Sequence, residues 1–148
     1  MAAITVTTVL DRMHEINQLV SGAKARRYFD ANQTQMTPTL VPYLGARTRN
    51  LEAGSHVDLS TRQFQVLCFV NMIAGLPSQS GMDSAELMIE RVSDAYLARP
   101  RLELNNAALE GVVRAELTGD DGIGAYSDEI AVIRFTIQVV TRKTFEYA

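Results

Sequence analysis

The residues between 119 and 129 have the composition of two kinds of ligand-binding loop. The glycine spacing is GxxGxG rather than GxGxxG, and no Gly-Lys-Ser/Thr follows, so a phosphate-binding loop is not indicated. The carboxylates of this stretch would also repel a phosphate. They could coordinate calcium, but their spacing differs from that of a helix–loop–helix calcium loop. A flexible hairpin connection is the favoured interpretation. The residues concerned are Gly119, Asp120, Asp121, Gly122, Gly124, Asp128 and Glu129.

Cysteine and histidine offer little further chemistry. Cys68 is the only cysteine, which excludes an intrachain disulfide and a Cys-rich zinc site within this sequence. It lies two residues from each of the apolar residues Val66 and Val70, so all three would share one face of a strand. This predicts a small buried side chain rather than an exposed nucleophile. Neither His14 nor His56 has a second histidine or an acid at metal-binding spacing. We predict no catalytic residue, no metal and no cofactor.

Two charged clusters remain as candidates for a functional site. Glu86 and Glu90 lie on one face of a predicted helix, as paired acid/base carboxylates could, but their early position suits the helix dipole and favours a solvated flank. The basic residues Lys24, Arg26 and Arg27 precede two aromatic residues and could touch phosphates. Because this cluster is short, a charged face or a contact with a partner is favoured.

The elements that must position these residues are clearest near the C-terminal end. Residues 109–117 and 131–139 alternate between apolar and polar side chains, the pattern of antiparallel strands with one buried face. Helical spacing from a capping box at Thr8 to Gly22 predicts a first helix. A second helix begins at Ser80 or Asp83 and is stopped by Pro100. Two further extended segments are predicted, at 39–44, where prolines favour a sheet edge, and at 62–73.

These elements predict one α+β domain over residues 1–148. It has a mostly antiparallel sheet of about four strands with two helices packed on one face. The other sheet face and one edge are left uncovered, which is a liability unless a partner fills them. An apolar strip on that face would suit a subunit interface. The candidate interface residues are Leu67, Phe69, Ile73, Val112, Val132 and Arg134.

Composition limits the class of protein. The chain has 148 residues, 47% hydrophobic residues and a formal net charge of −3, so a protein that coats duplex nucleic acid is not indicated. No apolar run approaches ~20 residues and no basic segment opens the chain, which predicts neither a membrane span nor a signal peptide. We expect a protein of cytosol-like conditions.

The order of elements resembles that of the tail-terminator, or tail-completion, proteins of long-tailed bacteriophages. The resemblance rests on the first helix, the proline-broken segment 39–44, the strand 62–73, the helix around 84–92 and the strand 130–140. It implies a ring, commonly of six subunits, that caps the last tail-tube ring and meets head-completion proteins. DNA would pass through the lumen without specific binding, and the protein would be assembled in the host cytoplasm and reside in the virion. No catalytic residue is implied.

The same resemblance gives the acidic connection a role as a mobile loop that orders against a neighbouring ring or faces the lumen. Its candidate residues are Asp120, Asp121, Ile123, Tyr126 and Asp128. Three alternatives remain open. One is a head-closure or connector protein of the neck, and another is a nucleic-acid-binding module that uses the basic cluster. The third is a small cytosolic enzyme or ligand-binding domain with a pocket between helices and sheet, whose candidates are Tyr28, Tyr96, His14 and Glu90.

Overall fold

Two helices lie against one face of a mixed but mostly antiparallel sheet in the computed structural model. The structure describes residues 4–28, 38–45, 50–51, 60–71, 79–125 and 130–141. Within these ranges the elements in chain order are α1 Val6–Asn17, β1 Lys24–Ala25, β2 Thr39–Leu44, β3 Asn50–Leu51, β4 Ser60–Asn71, α2 Gln79–Leu97, β5 Val112–Ala125 and β6 Ile130–Thr141. The predicted α+β class is confirmed.

The sheet has the strand order β1-β2-β4-β6-β5, and the short β3 pairs with β4. The predicted count of about four strands covers the four long ones, while β1 and β3 have two residues each. β4 pairs with β6 along its whole length, from Ser60 opposite Thr141 to Asn71 opposite Ile130. Among the described strands, all pairings are antiparallel except that of β1 with β2. The sheet is therefore centred on β4 and β6.

The first helix begins one turn earlier than the sequence predicted. Thr5 is its N-cap, and its hydroxyl oxygen accepts a hydrogen bond of 3.1 Å from the backbone N–H of Thr8. The predicted cap at Thr8 is wrong because Thr5 supplies the same hydroxyl acceptor three residues upstream, and Thr8 lies inside the helix. The helix ends at Asn17, and Gly22 adopts a positive φ of 80° in the turn that follows.

The basic stretch after this turn does not continue the helix. Lys24 and Ala25 form a parallel strand with β2, in which the N–H groups of Lys24 and Arg26 donate to the carbonyls of Pro38 and Leu40. Because this pairing partner lies about 15 residues away in sequence, the local pattern does not indicate the strand. β2 is covered by β1 only at Thr39 and Leu40, and Pro42 lies beyond that pairing, as a sheet edge allows.

The main core lies between the helices and the inner sheet face. Alternation along β4 places Phe64, Val66, Cys68 and Val70 in this core, as predicted. Fully burying one side chain of this size stabilises a fold by about 1.5–3 kcal/mol. Both helices therefore cover the same sheet face. They contribute the buried residues Val6, Val9, Met13, Ile16, Ala85, Met88, Val92 and Tyr96.

A β-bulge overturns one predicted interface residue. Val112 pairs with Thr141 and Arg114 with the adjacent Val140, which leaves Val113 as an extra residue on β5. The extra residue inverts the side-chain alternation before Ala115. Val112 therefore points into the main core and is buried, whereas Val113 is exposed. The assignment of Val112 to the outer face is wrong for this reason.

The predicted hairpin is confirmed, but its connection is shorter than expected. β5 continues to Ala125, so Asp120, Asp121 and Ile123 belong to a bulged strand rather than to a loop. Gly122 takes a φ of 72°, and its N–H donates to the Asp120 carboxylate at 2.9 Å. Glycine makes such a bulge possible without ending the strand. Of the predicted site residues, Ile73, Tyr126 and Asp128 lie outside the described residues, as does His56.

Candidate interaction surface on the outer sheet face

The face of the sheet opposite the helices carries a second apolar cluster. Its buried members are Val41, Phe69 and Val132, and Leu67 packs against them. The strand register places Phe69 opposite Val132, and Leu67 opposite Val41 on one side and Arg134 on the other. The register therefore places Leu67, Phe69, Val132 and Arg134 on the outer face, and their role in a subunit interface stays a prediction.

Two of these residues are not available to a partner. Phe69 and Val132 are only 2% and 1% exposed within the single chain. Phe69 has a cross-strand neighbour on each side, Thr39 on β2 and Val132 on β6, and Val41 completes the cluster. The prediction that Phe69 and Val132 contact a partner directly is therefore wrong. Their side chains lie beneath the accessible surface and form its apolar base. Leu67 stays partly accessible and Arg134 is exposed.

An open groove of about 710 Å³ lies over this apolar base and extends to the β2 edge. Its walls include Tyr28 and Tyr43, whose side chains are 75% and 54% exposed. Among the described residues, two arginines and no carboxylate line it, so its charge is opposite in sign to that of the whole chain. We call it the outer groove. The lining residues are Leu10, Arg27, Tyr28, Val41, Pro42, Tyr43, Leu44, Gln65, Leu67, Phe69 and Arg134.

The two arginines of the outer groove differ in their partners. Arg27 Nε donates to Asp11 Oδ1 at 2.9 Å, and the Arg27 guanidinium lies 4.8 Å from the centre of the Tyr28 ring. These contacts hold Tyr28 at the groove wall, although an exposed ion pair and cation–π contact contribute little to stability. Arg134 forms no ion pair with any described residue. Of these two arginines, Arg134 therefore has the greater capacity to bind a ligand.

The structure brings together residues from two separate predictions, the basic cluster and the candidate interface. Arg27, from the basic cluster, lines the same groove as Leu67 and Arg134, from the interface candidates. Lys24 and Arg26 do not line it. Tyr43 was not predicted as a residue of this surface. Its position two residues after Val41 places both on the same face of the strand 39–44, and this spacing could have identified it.

The buried polar groups serve the fold. Burial raises the pKa of the Cys68 thiol to about 12, so the thiol is protonated and unreactive at neutral pH, as the sequence predicted. The Tyr96 hydroxyl donates to Asn17 Oδ1 at 2.7 Å and lies 3.2 Å from the Met13 carbonyl oxygen. Burial also raises the pKa of Tyr96 above its ordinary value, against a smaller opposing effect of Arg99. Tyr96 is thus a neutral link between the helices.

The candidates for a pocket between helices and sheet are spread over different environments. Tyr96 is buried in the core, Tyr28 is exposed at the outer groove, and Glu90 is exposed on α2. His14 Nε2 lies 3.3 Å from Gln18 Nε2 on the surface of α1. Over the described ranges, no group of three or more His, Cys, Asp or Glu side chains is arranged to hold a metal ion.

Comparison with known proteins assigns no family. No protein-family model matches this chain, and no curated protein matches its sequence.

In the part of the chain that the structure describes, no helix has the length and hydropathy to cross a membrane.

Proposed function

We propose that this protein is a structural virion component that forms a ring at the head-proximal end of a long-tailed phage tail tube. The ring stops polymerisation of the tube and joins it to head-completion proteins. The partners in this proposal are copies of the chain itself, the major tail-tube protein and a connector protein. DNA passes through the ring without specific binding.

The observation that carries this proposal is that both helices in the described part of the chain pack on the same face of the sheet. α1 and α2 pack on the inner face, while the outer face presents a groove with an apolar base, two exposed tyrosines and the exposed Arg134. Accessible grooves of this composition suit protein contacts, since aromatic and arginine side chains are enriched at interfaces. The order of elements, which motivated the resemblance to tail terminators, is retained in the fold.

The polar chemistry of the core also supports a structural role. Cys68 and Tyr96 are both buried in the packed helix–sheet interface, and their raised pKa values keep them neutral. A nucleophile or a general base needs access to a substrate and a pKa suited to proton transfer. Neither residue offers these properties.

The proposal is tested with purified protein and with tail tubes. Size-exclusion chromatography with light scattering, with and without polymerised tail-tube protein, gives the number of subunits per particle. Negative-stain images of the mixture show whether rings sit at tube ends and whether capped tubes stop growing. An unrelated protein of similar size, added in place of this one, is the control. A chain that stays monomeric and never associates with tube ends contradicts the proposal.

The same experiment distinguishes a tail terminator from the alternative function, a head-closure protein of the neck. A head-closure protein would bind a portal or connector complex and leave tail tubes free to grow, whereas a tail terminator caps tubes in the absence of heads. Growth of tubes in the presence of a ring-forming protein therefore favours the head-closure role.

A further inference from the structure

The outer groove is chemically selective. Its base is apolar, its walls include Tyr28 and Tyr43, and the charged side chains that line it in the described ranges are both arginines. Because Arg27 is already paired with Asp11, the positive charge available to a ligand belongs to Arg134. A groove of this kind suits a short segment that combines an apolar side chain with carboxylates, since potentials across an interface are complementary.

A segment with that chemistry is exposed on the same chain. Residues 120–123 lie on β5, which is the outermost strand of the sheet on the side opposite β1. Asp120 and Asp121 are exposed, and Ile123 is 36% exposed although it is a large apolar residue. The Gly122 N–H donates to the Asp120 carboxylate, which shapes the bulge, and neither carboxylate forms an ion pair with a described residue.

We propose that the outer groove of one copy of this chain receives the 120–123 segment of a second copy. Ile123 of the second copy packs against the accessible side chain of Leu67 between the walls of the groove, and the carboxylates of Asp120 and Asp121 face Arg134. This inference rests on the proposed ring function and names the contact that builds the ring.

The contact is between two different surfaces, and this has a consequence for symmetry. When each copy gives its 120–123 segment to one neighbour and receives that of another in its outer groove, the contact is heterologous and can be repeated from copy to copy. Repetition closes a ring when the contact relates neighbours by a rotation that divides a full turn without translation, and every subunit then has both surfaces occupied. One exposed charge pair contributes little, so the affinity must come from the apolar contact, while the charges select the partner.

The test uses charge reversal. The first variant is Asp120→Lys with Asp121→Lys, and the second is Arg134→Glu. We expect each variant alone to raise the concentration for half-assembly by at least about tenfold, since like charges then face each other across the interface. Light scattering over a dilution series measures this change.

Two control variants carry the same changes of charge outside the proposed contact. Glu86→Lys with Glu90→Lys matches the first variant on the exposed side of α2, and Arg114→Glu matches the second at an exposed position of β5. Both controls should assemble like the natural sequence.

Mixing the two variants distinguishes a contact between copies from one within a chain. In an equimolar mixture, the lysines of the first variant meet the new carboxylate of the R134E variant only across an interface. The unchanged Asp120 and Asp121 of the R134E variant then face the unchanged Arg134 of the first variant. We therefore expect the mixture to recover assembly, with the two variants alternating.

The outcomes separate this contact from the function on which it rests. A ring that forms normally in both single variants, or a mixture that does not recover, overturns this contact but leaves the proposed function standing. A natural sequence that forms no ring overturns the proposed function itself.

Discussion

The Tyr96 hydroxyl hydrogen bonds to Asn17 Oδ1 over 2.7 Å in the buried space between α2 and α1. Asn17 is the last residue of α1 and is fully buried, and Tyr96 lies in the last turn of α2. The bond therefore ties together the C-terminal ends of both helices that cover the sheet. Burying a polar group costs free energy unless it is hydrogen-bonded, so this bond offsets the burial of the Tyr96 hydroxyl and of Asn17 Oδ1.

Tyr96→Phe should lower the free energy of unfolding by about 1–3 kcal/mol, because Asn17 Oδ1 then loses this donor in a buried site. Urea denaturation followed by circular dichroism measures the change. Tyr43→Phe, at an exposed tyrosine, is the matched control and should have little effect. Adding Asn17→Leu to Tyr96→Phe should recover part of the loss, since both polar partners are then removed. An unchanged stability in Tyr96→Phe would show that the bond contributes nothing.

Thr5→Ala should destabilise the fold by about 0.5–2 kcal/mol, because it removes the side-chain acceptor at the start of α1. Thr8→Ala should cost less, since the Thr8 backbone N–H keeps its acceptor and only the hydroxyl contact of 2.7 Å with Thr5 is lost. Thermal denaturation of the two variants decides between the caps. A larger loss in Thr8→Ala than in Thr5→Ala would restore the cap position predicted from sequence.

Alkaline pH should reduce stability through Cys68. Its pKa is raised to about 12 in the folded protein, whereas an unfolded thiol ionises near ~8.5. Above the unfolded value the unfolded chain releases a proton that the folded chain retains, so the free energy of unfolding falls by about 1.4 kcal/mol per pH unit until the folded value is reached. Below the unfolded value both states hold the proton and the contribution is constant.

The measurement compares denaturant midpoints of the natural sequence and Cys68→Ala between about pH 7 and pH 10, because other groups also titrate in this range. Cys68→Ala should be less stable at neutral pH, owing to the smaller side chain, but should lose less stability as the pH rises. Parallel pH profiles for the two proteins would contradict a thiol that stays protonated in the fold.

Leu67→Asp should abolish assembly while the chain stays folded. Leu67 lines the outer groove and is only partly buried, so a carboxylate there stays hydrated in the monomer but is desolvated at an interface. Light scattering gives the assembly state, and circular dichroism checks the fold. Leu87→Asp is the control, because Leu87 is exposed on α2 outside the groove. Equal assembly of both variants would exclude the outer groove as a subunit contact.

Local pattern alone determined much of this fold. The alternation of Val66, Cys68 and Val70 predicted a buried strand face, and all three lie in the core. Helical spacing predicted the two helices that cover this face. Both signals are intrinsic to the backbone, because a strand alternates its side chains with a period of two and a helix repeats about every 3.6 residues. The α+β class and the helix-covered face follow from these periods together.

The tertiary structure decided the features that side-chain periodicity does not predict, namely the bulge, one strand pairing and the outer groove. The bulge at Val113 reversed the direction of Val112, and no local pattern predicts where a ladder inserts an extra residue. Lys24 and Ala25 became a strand only because β2 offered an edge for pairing. The outer groove joins side chains from separate segments of the chain, among them Arg27, Tyr43, Leu67 and Arg134. Such a surface exists only once strand order and register are established, because residues remote in sequence become neighbours through pairing.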